Sequence, residues 1–78
     1  MAVYRVKFEG NDFRSHYFVD VDVLGRNKGQ AVKMACERVD ELGYCRHKIG
    51  DVKEIKKQWF FSKPKILNVI KSCSVNRF

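Results

Sequence analysis

The sequence lacks the features that mark membrane and secreted chains. No apolar run approaches the roughly 20 residues that a membrane-spanning helix needs, and the first residues lack the apolar core of a secretory signal. Cys36, Cys45 and Cys73 are odd in number and irregular in spacing, whereas small secreted domains usually carry an even disulfide framework. We therefore expect free thiols, a cytoplasmic location and no membrane partner.

Signatures of catalysis are also missing. The five glycines form no phosphate-binding loop, dinucleotide fingerprint or nucleophile elbow. Asp20 and Asp22 could act as a carboxylate pair in acid–base chemistry or hold a divalent ion, but acids beside Arg5 and Lys7 are more often cross-strand ion partners. Seventy-eight residues make one domain, too short to enclose a dry pocket. We expect a protein that is not an enzyme.

A zinc site is possible on residue type alone but not on spacing. Cys36, Cys45, His47 and Cys73 supply four candidate ligands, yet structural zinc sites usually show two close pairs and this chain has one loose pair. Cys36 flanks the apolar stripe of a predicted helix and is more simply a small core residue. We expect no metal and no cofactor.

What is present is the apolar and aromatic content of a folded domain, with 45% hydrophobic residues and six Phe. Alternation of period two predicts strands over about residues 2–8 and 13–23, joined by a turn at 9–12 that includes Gly10. Asn27, with Gln30 three residues later, predicts the start of an amphipathic helix, and Gly43 predicts its end.

The second half is less regular. A loop is predicted over residues 44–51 and a third strand over about 52–61. After Pro64, Ile66, Ile70 and Cys73 recur at helical spacing, which predicts a helix, although the run from Ile66 to Ile70 also suits a strand. The sequence thus predicts an α+β fold: a ββαβ domain over 1–61 whose three antiparallel strands lie in the order 2-1-3, with the helix on one face. Residues 62–78 are expected to form a basic extension packed on that domain.

The alternation also predicts the core. One stripe of the helix should pack against one face of the sheet. The expected core residues are Ala31, Val32, Ala35, Val39 and Leu42 on the helix, and Tyr4, Val6, Phe8, Val19, Val21, Ile55 and Trp59 on the strands.

The formal charge of +7 is confined to one half of the chain. Residues 1–43 hold seven basic and seven acidic side chains, whereas residues 44–78 hold nine basic side chains against Asp51 and Glu54. Such asymmetry indicates an anionic partner for one surface. Lysines interleaved with aromatic residues suit nucleic acid, although lysines also keep a small domain soluble while Trp59 and Phe61 fill its core. The predicted partner-binding residues are Arg5, Lys7, Phe18, Arg46, His47, Lys48, Lys53, Lys56, Lys57, Phe60, Lys63, Lys65, Lys71 and Arg77.

Three segments give residues 2–61 a recognisable pattern: Val3-Tyr4-Arg5-Val6-Lys7-Phe8, Val19-Asp20-Val21-Asp22-Val23 and Gly29-Gln30-Ala31-Val32-Lys33-Met34-Ala35. The pattern resembles small strand–strand–helix–strand proteins encoded by bacteriophages, among them anti-CRISPR proteins and other inhibitors of host defence. It is a resemblance of architecture without a shared motif, so no functional residue carries over.

The resemblance implies a phage protein, in the cytoplasm of its host, that blocks a nucleic-acid-directed defence complex by surface contact. Its expected partner is a host protein or ribonucleoprotein complex. A basic chain does not suit imitation of DNA, and favours an acidic protein patch or RNA. The alternative is direct binding of DNA or RNA with low sequence specificity.

Overall fold

The computed structural model describes residues 1–11, 15–43, 48–57 and 63–75. It contains four strands and one helix: β1 (Ala2–Asn11), β2 (Ser15–Gly25), α1 (Lys28–Glu41), β3 (Lys48–Lys57) and β4 (Lys65–Val75). Among the described residues, no helix combines the length and apolar content that crossing a bilayer requires.

The strands form one antiparallel sheet in the order β3-β1-β2-β4, and α1 packs on one of its faces. β2 and β3 flank β1 on opposite sides, so the predicted order 2-1-3 is confirmed for the first three strands. The predicted count of three is wrong, because the segment after Pro64 adds a fourth strand beside β2.

The C-terminal segment shows why local spacing misleads here. Of the two alternatives for this segment, the helix is wrong and the strand is confirmed, since ten of the eleven residues of Lys65–Val75 pair with β2. Without β4, the long and largely buried β2 would expose a full row of unpaired backbone groups at the sheet edge. Pairing satisfies those groups and packs Ile66 and Val69 against the core. Tertiary pairing therefore outweighs helical spacing.

The helix begins and ends where the sequence predicts. The Asn27 side chain accepts a hydrogen bond from the Gln30 backbone N–H at 2.8 Å, and the Gln30 side chain accepts one from the Arg26 backbone N–H at 2.7 Å. These bonds satisfy donors that a helix start leaves free. Gly43 follows the C-cap with φ of +80°, a conformation that favours glycine.

The core lies between α1 and the faces of β1 and β2 that meet it. Buried there are Val6, Phe8, Tyr17, Val19, Val21, Val23, Ala31, Ala35 and Val39. Tyr4 and Val32 are partly buried at its margin. The core prediction is wrong at Leu42, which is the exposed C-cap, and at Ile55. Trp59 lies outside the described residues.

Ile55 is displaced by an irregularity in the pairing of β3. Val3 pairs with Lys56 and Tyr4 with Glu54, so Ile55 is the extra residue of a bulge and stays exposed. Val52, opposite Val6, packs against the core instead. β3 also begins at Lys48, within the segment predicted as a loop.

β1 extends further along the chain than predicted. Gly10 belongs to β1 and pairs with Tyr17. A Cβ atom at Gly10 would lie 2.5 Å from the Tyr17 ring, so the glycine leaves room for that ring to cross the strand. The prediction that Gly10 lies in the turn is wrong, and among the described glycines only Gly43 has positive φ.

Candidate functional site: the open face of the sheet

One face of the sheet carries α1, and no described element packs on the opposite one, which we call the open face. Strand alternation and the pairing register assign its residues. They are Val3, Arg5, Lys7 and Glu9 on β1; His16, Phe18, Asp20, Asp22 and Leu24 on β2; Lys48, Asp51, Lys53 and Lys56 on β3; and Lys65, Asn68, Ile70 and Ser72 on β4. At one end Val3 and Leu24 are buried, whereas the remainder is rich in charge.

A paired arginine and aspartate lie at the centre of the open face. Arg5 and Asp22 are directly opposite on β1 and β2. The Arg5 Nε donates to Asp22 Oδ1 at 2.9 Å, and a second guanidinium nitrogen donates to Asp22 Oδ2 at 3.1 Å. The hydrogen bond and the charge of Asp22 raise the pKa of Arg5 further above its usual value. The planar fork of the guanidinium is thus occupied by an internal partner.

Beside this pair lies a small aromatic group. Lys7 Nζ sits 5.9 Å from the centre of the Phe18 ring, within the range of a cation–π contact. The His16 ring meets Phe18 edge-on at 5.0 Å, and His16 Nε2 lies 2.7 Å from a carboxylate oxygen of Glu9. Phe18 is therefore held in place by its neighbours while its ring stays partly exposed.

Between β1 and β3 the open face forms a shallow cleft of about 210 Å³, lined by Arg5, Lys7, Asp20, Asp51 and Lys53. Asp20 Oδ1 is buried and has no hydrogen-bond partner among the described residues. Buried acceptors in native proteins are nearly always satisfied. Asp20 therefore has one buried, unsatisfied carboxylate oxygen in a cleft that Arg5, Lys7 and Lys53 also line.

The structure places half of the predicted binding residues on this one surface. Arg5, Lys7, Phe18, Lys48, Lys53, Lys56 and Lys65 all lie on the open face. Lys57 and Lys71 pair with Ala2 and Val19, which puts them on the α1 side. Lys71 Nζ lies there 5.1 Å from the centre of the Tyr17 ring. Lys63 is exposed just before β4.

The other predicted residues, Arg46, His47, Phe60 and Arg77, lie outside the described residues. So do the side chains of Cys45 and Cys73, and with them most of the zinc ligand set considered above. Within the described ranges, no group of three His, Cys, Asp or Glu side chains could hold a metal ion.

Cys36 packs against the margin of the core, as predicted for a small apolar residue. Desolvation raises the pKa of its thiol, and the negative charges of Asp40 and Glu37 raise it further. A raised thiol pKa is the opposite of what a nucleophilic cysteine needs.

The acidic members of the site were only partly foreseen. The prediction of a cross-strand ion partner is confirmed for Asp22, but its burial was missed. From the sequence, Asp51 was noted only as one of the two acidic residues in the second half of the chain. Its place in the cleft follows from its pairing with Lys7, which depends on the bulges of β3. In a regular strand, alternation alone predicts the face on which each residue lies. In a bulged strand, the pairing with the neighbouring strand must also be known.

In comparisons with known proteins, no family model, curated protein or solved structure matches this chain.

Proposed function

We propose that this chain is a non-enzymatic binding protein whose open face docks onto the surface of another protein. The observation that carries the proposal is the mixture of charges on that face. The cleft is lined by both cations and carboxylates, and Arg5 and Lys7 on β1 lie opposite Asp22 and Asp20 on β2. Protein interfaces characteristically match a pattern of both signs.

A partner of uniform negative charge fits this face less well. A phosphate backbone laid across the cleft would meet Asp20 and Asp51 as well as the lysines. At about 4 Å, two like charges near a protein surface repel by roughly 4 kcal/mol. Arg5, the best phosphate ligand by geometry, already holds Asp22. A protein partner can instead offer donors to Asp20 and acceptors to Lys53.

The cleft also favours binding over catalysis. Its volume of about 210 Å³ lies below the roughly 300–1,000 Å³ typical of small-molecule sites. The partner we propose is a component of a host nucleic-acid-directed defence complex, blocked stoichiometrically by a phage protein. That part of the proposal follows from the architectural resemblance, and the surface chemistry is compatible with it.

Direct nucleic-acid binding is a second candidate, and one observation favours it. Lys7 and the partly exposed Phe18 ring lie side by side, and Lys48, Lys53 and Lys56 follow one edge of the same face. Exposed aromatic rings on a sheet stack with unpaired bases, and lysines neutralise phosphates.

A capture experiment separates the two candidates. The tagged chain is incubated with bacterial host lysate, with and without nuclease, over a series of salt concentrations. Capture of a protein that survives nuclease and changes little with salt supports protein docking. Direct phosphate binding would be lost steeply as salt rises, because counterion release sets its affinity.

A charge-reversal pair locates the surface. Lys53→Glu with Lys56→Glu changes the open face alone, and should weaken binding at least tenfold, or about 1.4 kcal/mol. Lys33→Glu on the exposed side of α1 is the matched control and should leave binding intact. If the control is the more damaging, the partner binds the helix and the proposal fails.

A further inference from the structure

The two outer strands of the sheet are protected very differently. β3 carries four lysines and two pairing irregularities, devices that natural proteins use to keep an edge strand from pairing with another chain. β4 spans eleven residues, and its only charges are Lys65 and Lys71. It exposes Leu67 (44%) and Ile70 (43%), and leaves Ile66 and Val69 only partly buried against the core. β4 has one pairing irregularity, at Leu67, and no described strand pairs with its outer side. Among the described residues its edge is therefore long and apolar.

We propose that β4 pairs in antiparallel fashion with β4 of a second copy of this chain, joining two sheets into one of eight strands. Such a dimer closes on itself, because the same strand is used by both copies. It goes beyond the proposed function, since it would join two open faces into a single wider surface.

The sequence of β4 allows this pairing in a specific register. A two-fold axis perpendicular to the sheet requires each residue to face one that points to the same side. Centring the axis on Ile70 sets Ile70 against its own copy, Asn68 against Ser72, and Val69 against Lys71. Apolar side chains then meet on the axis and no two lysines are opposite, whereas centring on Lys71 would oppose like charges.

Charge elsewhere in the chain permits the dimer despite +7 on each copy. In the order β3-β1-β2-β4, the lysine-rich β3 is the strand farthest from the contact. Two β3 strands would lie seven strand spacings apart, about 34 Å. That separation exceeds three Debye lengths of about 10 Å at 0.1 M salt, so their repulsion is largely screened.

The size of the contact predicts a weak dimer. A strand of eleven residues is about 36 Å long, and with a depth of about 10 Å it buries roughly 360 Å² on each copy. A standard interface buries about 800 Å² on each partner. We expect a dissociation constant in the range of about 10–100 µM.

Sedimentation velocity from about 1 to about 500 µM tests the proposal. We expect monomer to convert to dimer with no larger species. Ile70→Lys would set two cations against each other on the axis and should raise the dissociation constant at least tenfold. Ile55→Lys is the matched control, since Ile55 is 45% exposed on the opposite edge, and it should change nothing. Thermal melts of both variants establish that folding is intact.

Disulfide trapping tests the register. In a chain whose native cysteines are replaced by alanine, Ile70→Cys should form a covalent dimer with oxidised glutathione, because opposed Cα atoms at about 4.5–5.5 Å suit a disulfide. Ile55→Cys should not. A monomer at every concentration, open-ended growth beyond the dimer, or equal effects of the two lysine variants would overturn the proposal. A monomer whose β4 amides become protected only with a bound host protein would assign this edge to that partner instead.

Discussion

The two faces of the β1–β2 pair are formed by alternate residues of the same two strands, yet different interactions stabilise them. Towards α1, Val6 faces Val21 and Phe8 faces Val19, and all four side chains are fully buried. On the open face, Arg5 faces Asp22 and Lys7 faces Asp20. One face is held by burial of apolar area, and the other by the directional pair of Arg5 and Asp22.

This difference teaches how the register is specified. A slip of one residue would carry the apolar set to the open face and the charges into the core, at a large cost in free energy. A slip of two residues would keep the faces but separate Arg5 from Asp22 and set a large side chain against Tyr17 in place of Gly10. The charged pairs and the glycine therefore exclude the registers that hydrophobic alternation alone would permit.

Truncating a phenylalanine on each face tests the contrast most strongly. Phe8 is 0% exposed, and Phe8→Ala should lower the free energy of unfolding by about 3–5 kcal/mol because it leaves a cavity. Among the described residues, Phe18→Ala removes the contacts with Lys7 and His16, and it should cost about 1–2 kcal/mol. Urea denaturation followed by circular dichroism measures both. Equal losses would mean that the open face is covered and that its assignment as a docking surface is wrong.

A methyl group added at Gly10 tests the packing at one end of the sheet face that α1 covers. Gly10→Ala would bring a Cβ to 2.5 Å from the buried Tyr17 ring, and the forced shift should cost about 1–3 kcal/mol. Gly50→Ala is the matched control on β3. Its nearest neighbour is the Lys7 carbonyl oxygen at 3.7 Å, an ordinary contact. That variant should be unchanged or more stable by up to about 1 kcal/mol, since alanine restricts the unfolded chain.

Thermal or urea melts of the two alanine variants decide the outcome. A Gly10→Ala protein as stable as its Gly50→Ala control would show that Tyr17 does not lie across β1. The glycine would then have no part in fixing the hairpin register.

The extent to which the sequence predicts the fold depends on how far each segment interacts locally. β1, β2 and α1 follow from alternation, from the Asn27 cap and from Gly43, because each of these signals acts within a few residues. β4 could not be assigned in the same way. Its spacing suits a helix and a strand equally, and the unpaired edge of β2 decides between them. Ile55 was misplaced for a related reason, since a bulge is defined by the partner strand.

The candidate site shows the same division. Alternation alone places Arg5, Lys7 and Phe18 on one face, and pairing brings Lys53 and Lys56 beside them. A count of charges does not predict that Lys57 lies on the α1 side of the sheet, or that carboxylates lie among the lysines of the open face. We therefore keep the proposal of a protein partner, because a row of lysines indicates phosphate whereas a mixture of charges indicates a protein surface.

The smallest effect is expected at Cys36, at the margin of the covered face. Burial holds the pKa of its thiol above the ordinary value of 9.0, so the folded chain binds this proton more tightly than the unfolded chain. The resulting contribution to stability is therefore complete at neutral pH and is lost as pH rises above about 9 through the folded pKa.

Mass spectrometry of the Cys36 peptide after iodoacetamide should show slower labelling in the folded protein than in the urea-unfolded protein, with the difference narrowing at alkaline pH. Cys36→Ala should remove this part of the alkaline loss of stability, so the fall in the free energy of unfolding between pH 7 and alkaline pH should be smaller in the variant. Labelling as fast in the folded chain as in the unfolded one would place the thiol in solvent, and α1 would then cover less of the sheet than its contacts indicate.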